Sequence, residues 1–136
     1  TRISSMNFLI DHNLEGHALL LAGRITALGW LDLLPIRFFT FAEIELPIAS
    51  DDRIVWRFAQ ANQMVLPTAN RSMKGENSLE EVMREENTPL ALPVVTIGDS
   101  DRVLNDSDYR NRCVDRLIEI AFDLEDYRGS MRLFIP

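Results

Sequence analysis

Polar side chains, most of them acids or amides, follow the ends of the strand-like segments of this chain. They are Asp11, His12, Asn13, Glu43, Glu45, Thr68, Asn70, Ser72, Asp99 and Asp101. Carboxylate and amide oxygens suit Mg²⁺ or Mn²⁺, whereas zinc sites use mainly histidine and cysteine. Because the whole chain has only 2 histidines and 1 cysteine, these residue types favour a site for Mg²⁺ or Mn²⁺ over one for zinc.

Basic residues near the same segments are candidates for phosphate binding. Arg53 and Arg57 are one helical turn apart, and Arg71 and Lys74 follow the third strand-like segment. A guanidinium group binds phosphate through paired hydrogen bonds. A charged surface exposed to solvent explains the same residues equally well, so both interpretations stay open from the sequence.

The composition is that of an ordinary globular domain with one hydrophobic core, since the chain has 136 residues, of which 46% are hydrophobic and 26% charged. With 14 basic and 21 acidic side chains, the formal net charge is −7. That charge excludes binding of nucleic acids through a chain-wide positive field, so any phosphate contact requires a local patch. We predict one domain over residues 6–136 and interpret residues 1–5 as a short leader or a cloning remnant.

The cysteine content and the hydrophobic pattern bear on the cellular compartment. Cys113 is the only cysteine, so no disulfide can form within the chain, and nothing in the sequence indicates an oxidising environment. The sequence also lacks a run of about 18 uncharged apolar residues that could span a bilayer. We therefore predict a cytoplasmic protein without a membrane partner.

Short apolar runs alternate along the chain with longer segments of helical periodicity. Strands are predicted at 7–10, 36–41, 64–66, 92–97 and 131–135, and helices at 14–28, from 50 onward, at 78–86 and at 106–126. This alternation predicts a three-layer α/β/α fold with a mostly parallel, doubly wound central sheet of about five strands. Ligands of such sheets bind at the carboxyl ends of the strands, which is where the polar side chains described above are expected.

Three segments resemble one protein family in their order and spacing. Residues 7–14 form a hydrophobic run that closes on Asp-x-Asn-Leu, and residues 50–59 begin with Ser-Asp-x-x-Ile. Residues 65–71 are similar to a Val-Leu-x-Thr-x-Asp turn, with Asn70 in the last place, and residues 132–135 resemble the family's closing strand. On these segments the chain resembles the PIN-like domains, and within them a small group related to the VapC-type toxin ribonucleases of toxin–antitoxin pairs.

The resemblance implies a carboxylate cluster that binds Mg²⁺ or Mn²⁺ and a metal-activated water that attacks a phosphodiester bond of RNA. Asp11 and Asp51 are then catalytic metal ligands, and Asn70 stands at the catalytic position of a third acid. Ser72 stands where a fourth acid often follows, and Asp99 is a further candidate metal ligand. Substrate contacts are expected from Asn13, Arg53, Arg57 and Arg71.

Because Asn70 and Ser72 replace two carboxylates, three functions stay open. The first is a Mg²⁺- or Mn²⁺-dependent ribonuclease with a partly degenerate site, which binds RNA through a local arginine patch. The second is a catalytically inactive PIN-like interaction module, with another protein or a second copy as partner. The third is another metal-dependent phosphohydrolase. Acids at a helix start, such as Asp51, also stabilise the helix without any metal.

Overall fold

The computed structural model describes residues 6–29, 35–69 and 78–136. The strands are β1 (Met6–Ile10), β2 (Ile36–Thr40), β3 (Met64–Thr68), β4 (Val94–Ile97) and β5 (Arg132–Ile135). The helices are α1 (Glu15–Ala27), α2 (Asp52–Ala61), α3 (Leu79–Glu86), α4 (Ser100–Asn105) and α5 (Ser107–Phe122), with 3₁₀ turns at His12–Leu14 and Leu124–Tyr127. The predicted leader (1–5) and the candidate residues Asn70, Arg71, Ser72 and Lys74 lie outside the described residues.

The five strands form one parallel sheet in the order β2-β1-β3-β4-β5. This confirms the predicted parallel, doubly wound sheet. The chain moves from β1 outward to β2 and then returns to the other side of β1 for β3. In this strand order, ligands bind where the direction reverses, at the carboxyl ends of β1 and β3.

Helices cover both faces of the sheet, as the predicted three-layer fold requires. On one face, Phe8 and Ile10 of β1 belong to a core that also contains Leu21 of α1 and Leu117 of α5. On the other face, Leu9 belongs to a second core. Its members from the helices and neighbouring strands include Trp56, Leu66, Met83 and Val94. Successive side chains of a strand point to opposite faces of the sheet. A strand that is buried on both faces therefore appears in the sequence as a continuous apolar run.

Several element ends differ from the predicted ones. The predicted helix at 106–126 is shorter, and a separate helix, α4, precedes it between the predicted strand at 92–97 and that helix. Asp99 causes this start, because its carboxylate accepts a hydrogen bond from the backbone N–H of Arg102 at 3.3 Å. Asp106 then accepts one from the N–H of Tyr109 at 3.1 Å and begins α5. Such carboxylate caps satisfy amides that have no partner within the helix.

The helices on the other face begin in the same way. The helix predicted from residue 50 onward begins slightly later, because the N-cap of α2 is Asp51. Ser78 is the N-cap of α3 as predicted, and its hydroxyl accepts a hydrogen bond from the N–H of Glu81 at 3.2 Å. None of the helices within the described ranges is both long and apolar enough to cross a membrane.

Candidate functional site

The carboxyl edge of the sheet brings strand ends and helix starts together, because every helix of a parallel α/β fold runs back against the strands. Asp11 follows β1, Asp51 begins α2 and Asp99 begins α4. The three acids that the sequence analysis names as candidate metal ligands therefore all lie at this edge. The strand order puts β3 between β1 and β4, so β1 and β4 are two strand spacings, about 10 Å, apart.

Asp11 lies at the reversal point of the sheet. Its backbone is extended (φ −57°, ψ 143°), and its carbonyl oxygen accepts a hydrogen bond from the N–H of Leu14 at 2.9 Å. Its half-buried side chain makes no cap hydrogen bond to the 3₁₀ turn that follows. In this respect Asp11 differs from Asp51, Asp99 and Asp106, whose carboxylates all accept backbone amides.

Two buried threonines continue a polar row from Asp11 across the sheet. Asn7 and Phe8 are level with Met64 and Val65 in the parallel β1–β3 pair, so Asp11, directly after β1, and Thr68, at the end of β3, lie at the same edge of the sheet. Thr68 is level with Thr96 of β4. The two threonines are only 3% and 0% exposed. Side-chain alternation from Leu9 and Leu66 places Asp11 and Thr68 on the face that α2 and α3 cover.

Arg132 of β5 contacts the end of this row. Its guanidinium donates hydrogen bonds to the Thr96 hydroxyl and, at 3.3 Å, to Glu80 of α3. The Arg132 side chain is only 12% exposed, so this ion pair ties β5 to α3 beside the threonine. Sequence reasoning missed Arg132 and Thr96, although an arginine inside an apolar strand is itself a signal, because a buried charge needs a partner.

The carboxylates of Asp51 and Asp99 cap the first turns of α2 and α4. The Oδ1 atom of Asp51 accepts the N–H of Ile54 at 2.9 Å, and the Oδ1 atom of Asp99 accepts the N–H of Arg102 at 3.3 Å. Both residues are exposed. Each carboxylate keeps a second oxygen that these caps do not use, so capping and metal binding are compatible at either residue.

The predicted phosphate contacts Arg53 and Arg57 form ion pairs with α3. Arg53 contacts Glu86 and, at 2.8 Å, Glu85, while Arg57 donates to Glu86 at 2.8 Å. The hydrogen bond from Arg57, and then the one from Arg53, lowers the pKa of the Glu86 carboxyl. Hydrogen bonds to Glu85 and Glu86 raise the pKa of Arg53. A phosphate would therefore have to compete with these glutamates.

The remaining candidates are Asn13, which is exposed beside Asp11, and Asn70 and Arg71, which the structure does not describe. Within the described ranges, three or more His, Cys, Asp or Glu side chains do not gather into a group that could hold a metal ion. The described part of the edge thus offers one uncommitted carboxylate, a row of hydroxyls and a neighbouring arginine. Of these groups, the carboxylate of Asp11 is the hard oxygen donor of the kind that suits Mg²⁺ or Mn²⁺.

Comparison with family models, with curated proteins and with solved structures finds no match to this chain.

Proposed function

We propose that the carboxyl edge of the sheet binds Mg²⁺ or Mn²⁺ through Asp11 and that the protein hydrolyses phosphodiester bonds of RNA. The observation that carries this proposal is the position of Asp11. It is a half-buried carboxylate at the reversal point, and it is not used for capping the turn that follows it. The resemblance of the three segments to PIN-like ribonucleases supports the choice of RNA as substrate.

The donor set indicates how a cation would be held. Asp11 supplies the carboxylate, and Asp51 contributes the oxygen that does not cap α2. A bound cation would stabilise the charge that develops on the phosphate oxygens. Arg132 lies on the same face, where its guanidinium contacts Thr96 and Glu80 and Glu80 balances its charge. Because Asn70 and Ser72 contribute no negative charge, the affinity for the cation is low and hydrolysis is slow.

A metal titration tests the proposal directly. Isothermal calorimetry with MnCl₂ should show binding to the wild type that Asp11→Asn abolishes. Asp115→Asn is the matched control, because Asp115 is an exposed acid on the outer side of α5 and its loss changes the net charge equally. Binding that is unchanged in Asp11→Asn, or lost equally in both variants, contradicts the proposal.

An RNA-cleavage assay tests the catalytic part. Labelled single-stranded RNA should be cut slowly in the presence of Mn²⁺ and not after EDTA treatment. Asn70→Asp restores a carboxylate at the position of the family's third acid and should raise the rate at least about tenfold, since a carboxylate holds the cation more tightly than an amide does. A rate that stays at background in both proteins contradicts the ribonuclease function.

The second candidate, a non-catalytic interaction module, is favoured by the arrangement of the arginines. Arg53 and Arg57 are held by Glu85 and Glu86, so these two arginines of the predicted RNA-binding patch are neutralised by acids of α3. The absence of both Mn²⁺ binding and RNA cleavage, in a protein that folds normally, would support this candidate over the first.

A further inference from the structure

The outer face of α1 is apolar and exposed. Leu19 is 76% exposed and Leu20 is 38% exposed in this helix of 13 residues. Gly16 and Gly23 are also exposed, and a Cβ atom added at either would meet no other atom within 4 Å. The opposite face of α1 is buried through Ala18, Leu21 and Ile25. The outer face therefore leaves two large apolar side chains in contact with water, and their burial against a partner would be favourable.

The residues of this face are arranged symmetrically about a point in the first half of the helix, between Leu19 and Leu20. The sequence Glu15–Arg24 reads Glu-Gly-His-Ala-Leu-Leu-Leu-Ala-Gly-Arg. Around a centre between Leu19 and Leu20, Gly16 mirrors Gly23 and Glu15 mirrors Arg24. A two-fold symmetric contact requires that residue i of one copy meet residue j of the other, and j meet i. A surface of this pattern is complementary to itself in the antiparallel direction.

We propose that the outer face of α1 binds the same face of a second copy of this chain, in an antiparallel pair with its two-fold axis between Leu19 and Leu20. Gly16 of one copy lies against Gly23 of the other, so no side chain blocks the contact at its two ends, and the leucines keep the helix axes at the usual spacing of about 8–10 Å. The leucines of both copies meet at the centre and leave water.

The charges select the direction of the pair. In the antiparallel pair, each end of the contact holds Glu15 of one copy and Arg24 of the other, so opposite charges are neighbours. A parallel pair would bring the two Glu15 side chains together at one end and the two Arg24 side chains at the other. Because these charges are at the solvent-exposed rim, salt screens their attraction, and the pair should weaken as the salt concentration rises above about 0.1 M, where the Debye length is about 10 Å.

The size of the face sets the strength of the pair. A helix of 13 residues is about 20 Å long, so the contact is at the small end of specific interfaces. We expect a rapid monomer–dimer equilibrium between micromolar and millimolar concentration. Sedimentation equilibrium of the full chain over that range measures it, and a protein that stays monomeric throughout overturns the proposal.

A pair of matched variants locates the contact. Leu19→Glu should weaken the dimer at least about tenfold, because two unpaired carboxylates would be buried at the centre. Leu90→Glu is the control, since Leu90 is 75% exposed on a turn away from α1. Both side chains are exposed, so circular dichroism should show both variants folded. Equal weakening by both variants, or none by Leu19→Glu, overturns the proposal.

Cross-linking tests the direction independently. Gly16→Cys and Gly23→Cys each add one exposed thiol, while the native Cys113 is fully buried. Under mild oxidation, a mixture of the two variants should form disulfide-linked dimers faster than either variant alone. Faster cross-linking of Gly16→Cys with itself, which a parallel pair would give, contradicts the arrangement, and so does the failure of every combination to cross-link.

Discussion

The backbone N–H of Asp99 donates a hydrogen bond to the phenol oxygen of Tyr109, with 2.8 Å between the two atoms. This bond joins the segment that follows β4 to the first turn of α5, across the short helix α4. The Tyr109 ring is buried, and the guanidinium groups of Arg102 and Arg112 lie over it at 4.4 and 5.5 Å from its centre. The position of Asp99 at the carboxyl edge therefore depends on Tyr109.

Removing the Tyr109 hydroxyl tests that dependence. Tyr109→Phe keeps the ring and its contacts with the arginines but leaves the N–H of Asp99 without its partner, so we expect a loss of about 1 kcal/mol in the free energy of unfolding. Urea denaturation followed by circular dichroism measures it. Tyr127→Phe is the control, because the Tyr127 hydroxyl accepts from the side chain of Arg116 and not from the backbone. A larger loss in the control would contradict the expectation.

Two substitutions of Asp51 separate its roles as helix cap and as metal ligand. Asp51→Ala removes the bond to the N–H of Ile54 and should cost about 1 kcal/mol, whereas Asp51→Asn keeps a capping oxygen and should cost only a few tenths. Both variants lose the charge that a cation requires, so both should weaken Mn²⁺ binding. Urea denaturation and calorimetry on the same samples provide the two measurements. If Asp51→Asn binds Mn²⁺ as well as the wild type, Asp51 acts as a cap alone.

The ion pairs of Glu86 make the packing of α2 against α3 dependent on pH. Arg57 and Arg53 lower the pKa of Glu86 in the folded protein, so the folded state releases this proton more readily than the unfolded state does. The contribution to stability is therefore complete above the ordinary glutamate pKa of about 4.3 and is lost as the pH falls through the lower folded value.

Glu86→Gln checks this dependence. The variant should be less stable than the wild type at pH 7, and the difference should shrink as the pH falls below the ordinary glutamate range. Urea midpoints measured across that range show the trend. Glu119→Gln is the control, because Glu119 pairs with Arg116 on the exposed side of α5. A difference between Glu86→Gln and the wild type that stays constant with pH would contradict the assignment.

The sequence predicts the features of this fold that depend on local patterns. Short apolar runs and helical periodicity indicate the strands and most helices, and the position of Ser78 indicates the start of α3. Asp11 is recognisable because it directly follows the first strand. The exposure of the leucines of α1 is not predictable in this way. Their periodicity indicates a helix, but it does not show which side of the helix packs against the sheet.

The polar row and the arginine pairs depend on contacts between distant parts of the chain. Thr68 and Thr96 become neighbours only through the strand order and register, which no local pattern specifies. Arg53 and Glu86 are 33 positions apart and meet because α2 and α3 cover the same face. The sequence shows the charge of Arg53 but not its partner, so a phosphate contact and an ion pair are indistinguishable until the helices are placed.

The single thiol reports on the opening of the core around α5. Cys113 is fully buried, and burial raises the pKa of its thiol from 9.0 to about 11. Near pH 8 the folded protein therefore holds about 100-fold less thiolate than an unfolded chain, and reagents have no access to it. We expect Ellman's reagent to modify the native protein only as fast as the core opens, and to modify it rapidly in urea.

Asp115→Cys provides the internal control for this measurement. Asp115 is exposed on the same helix, so the variant should react in two phases, one fast and one as slow as the wild type. The raised pKa also predicts that stability falls as the pH rises from about 9 towards 11, because the unfolded chain loses the thiol proton first. Cys113→Ala should remove that alkaline decline. Rapid modification of the native wild type at pH 8 would show that the α5 core is open to solvent.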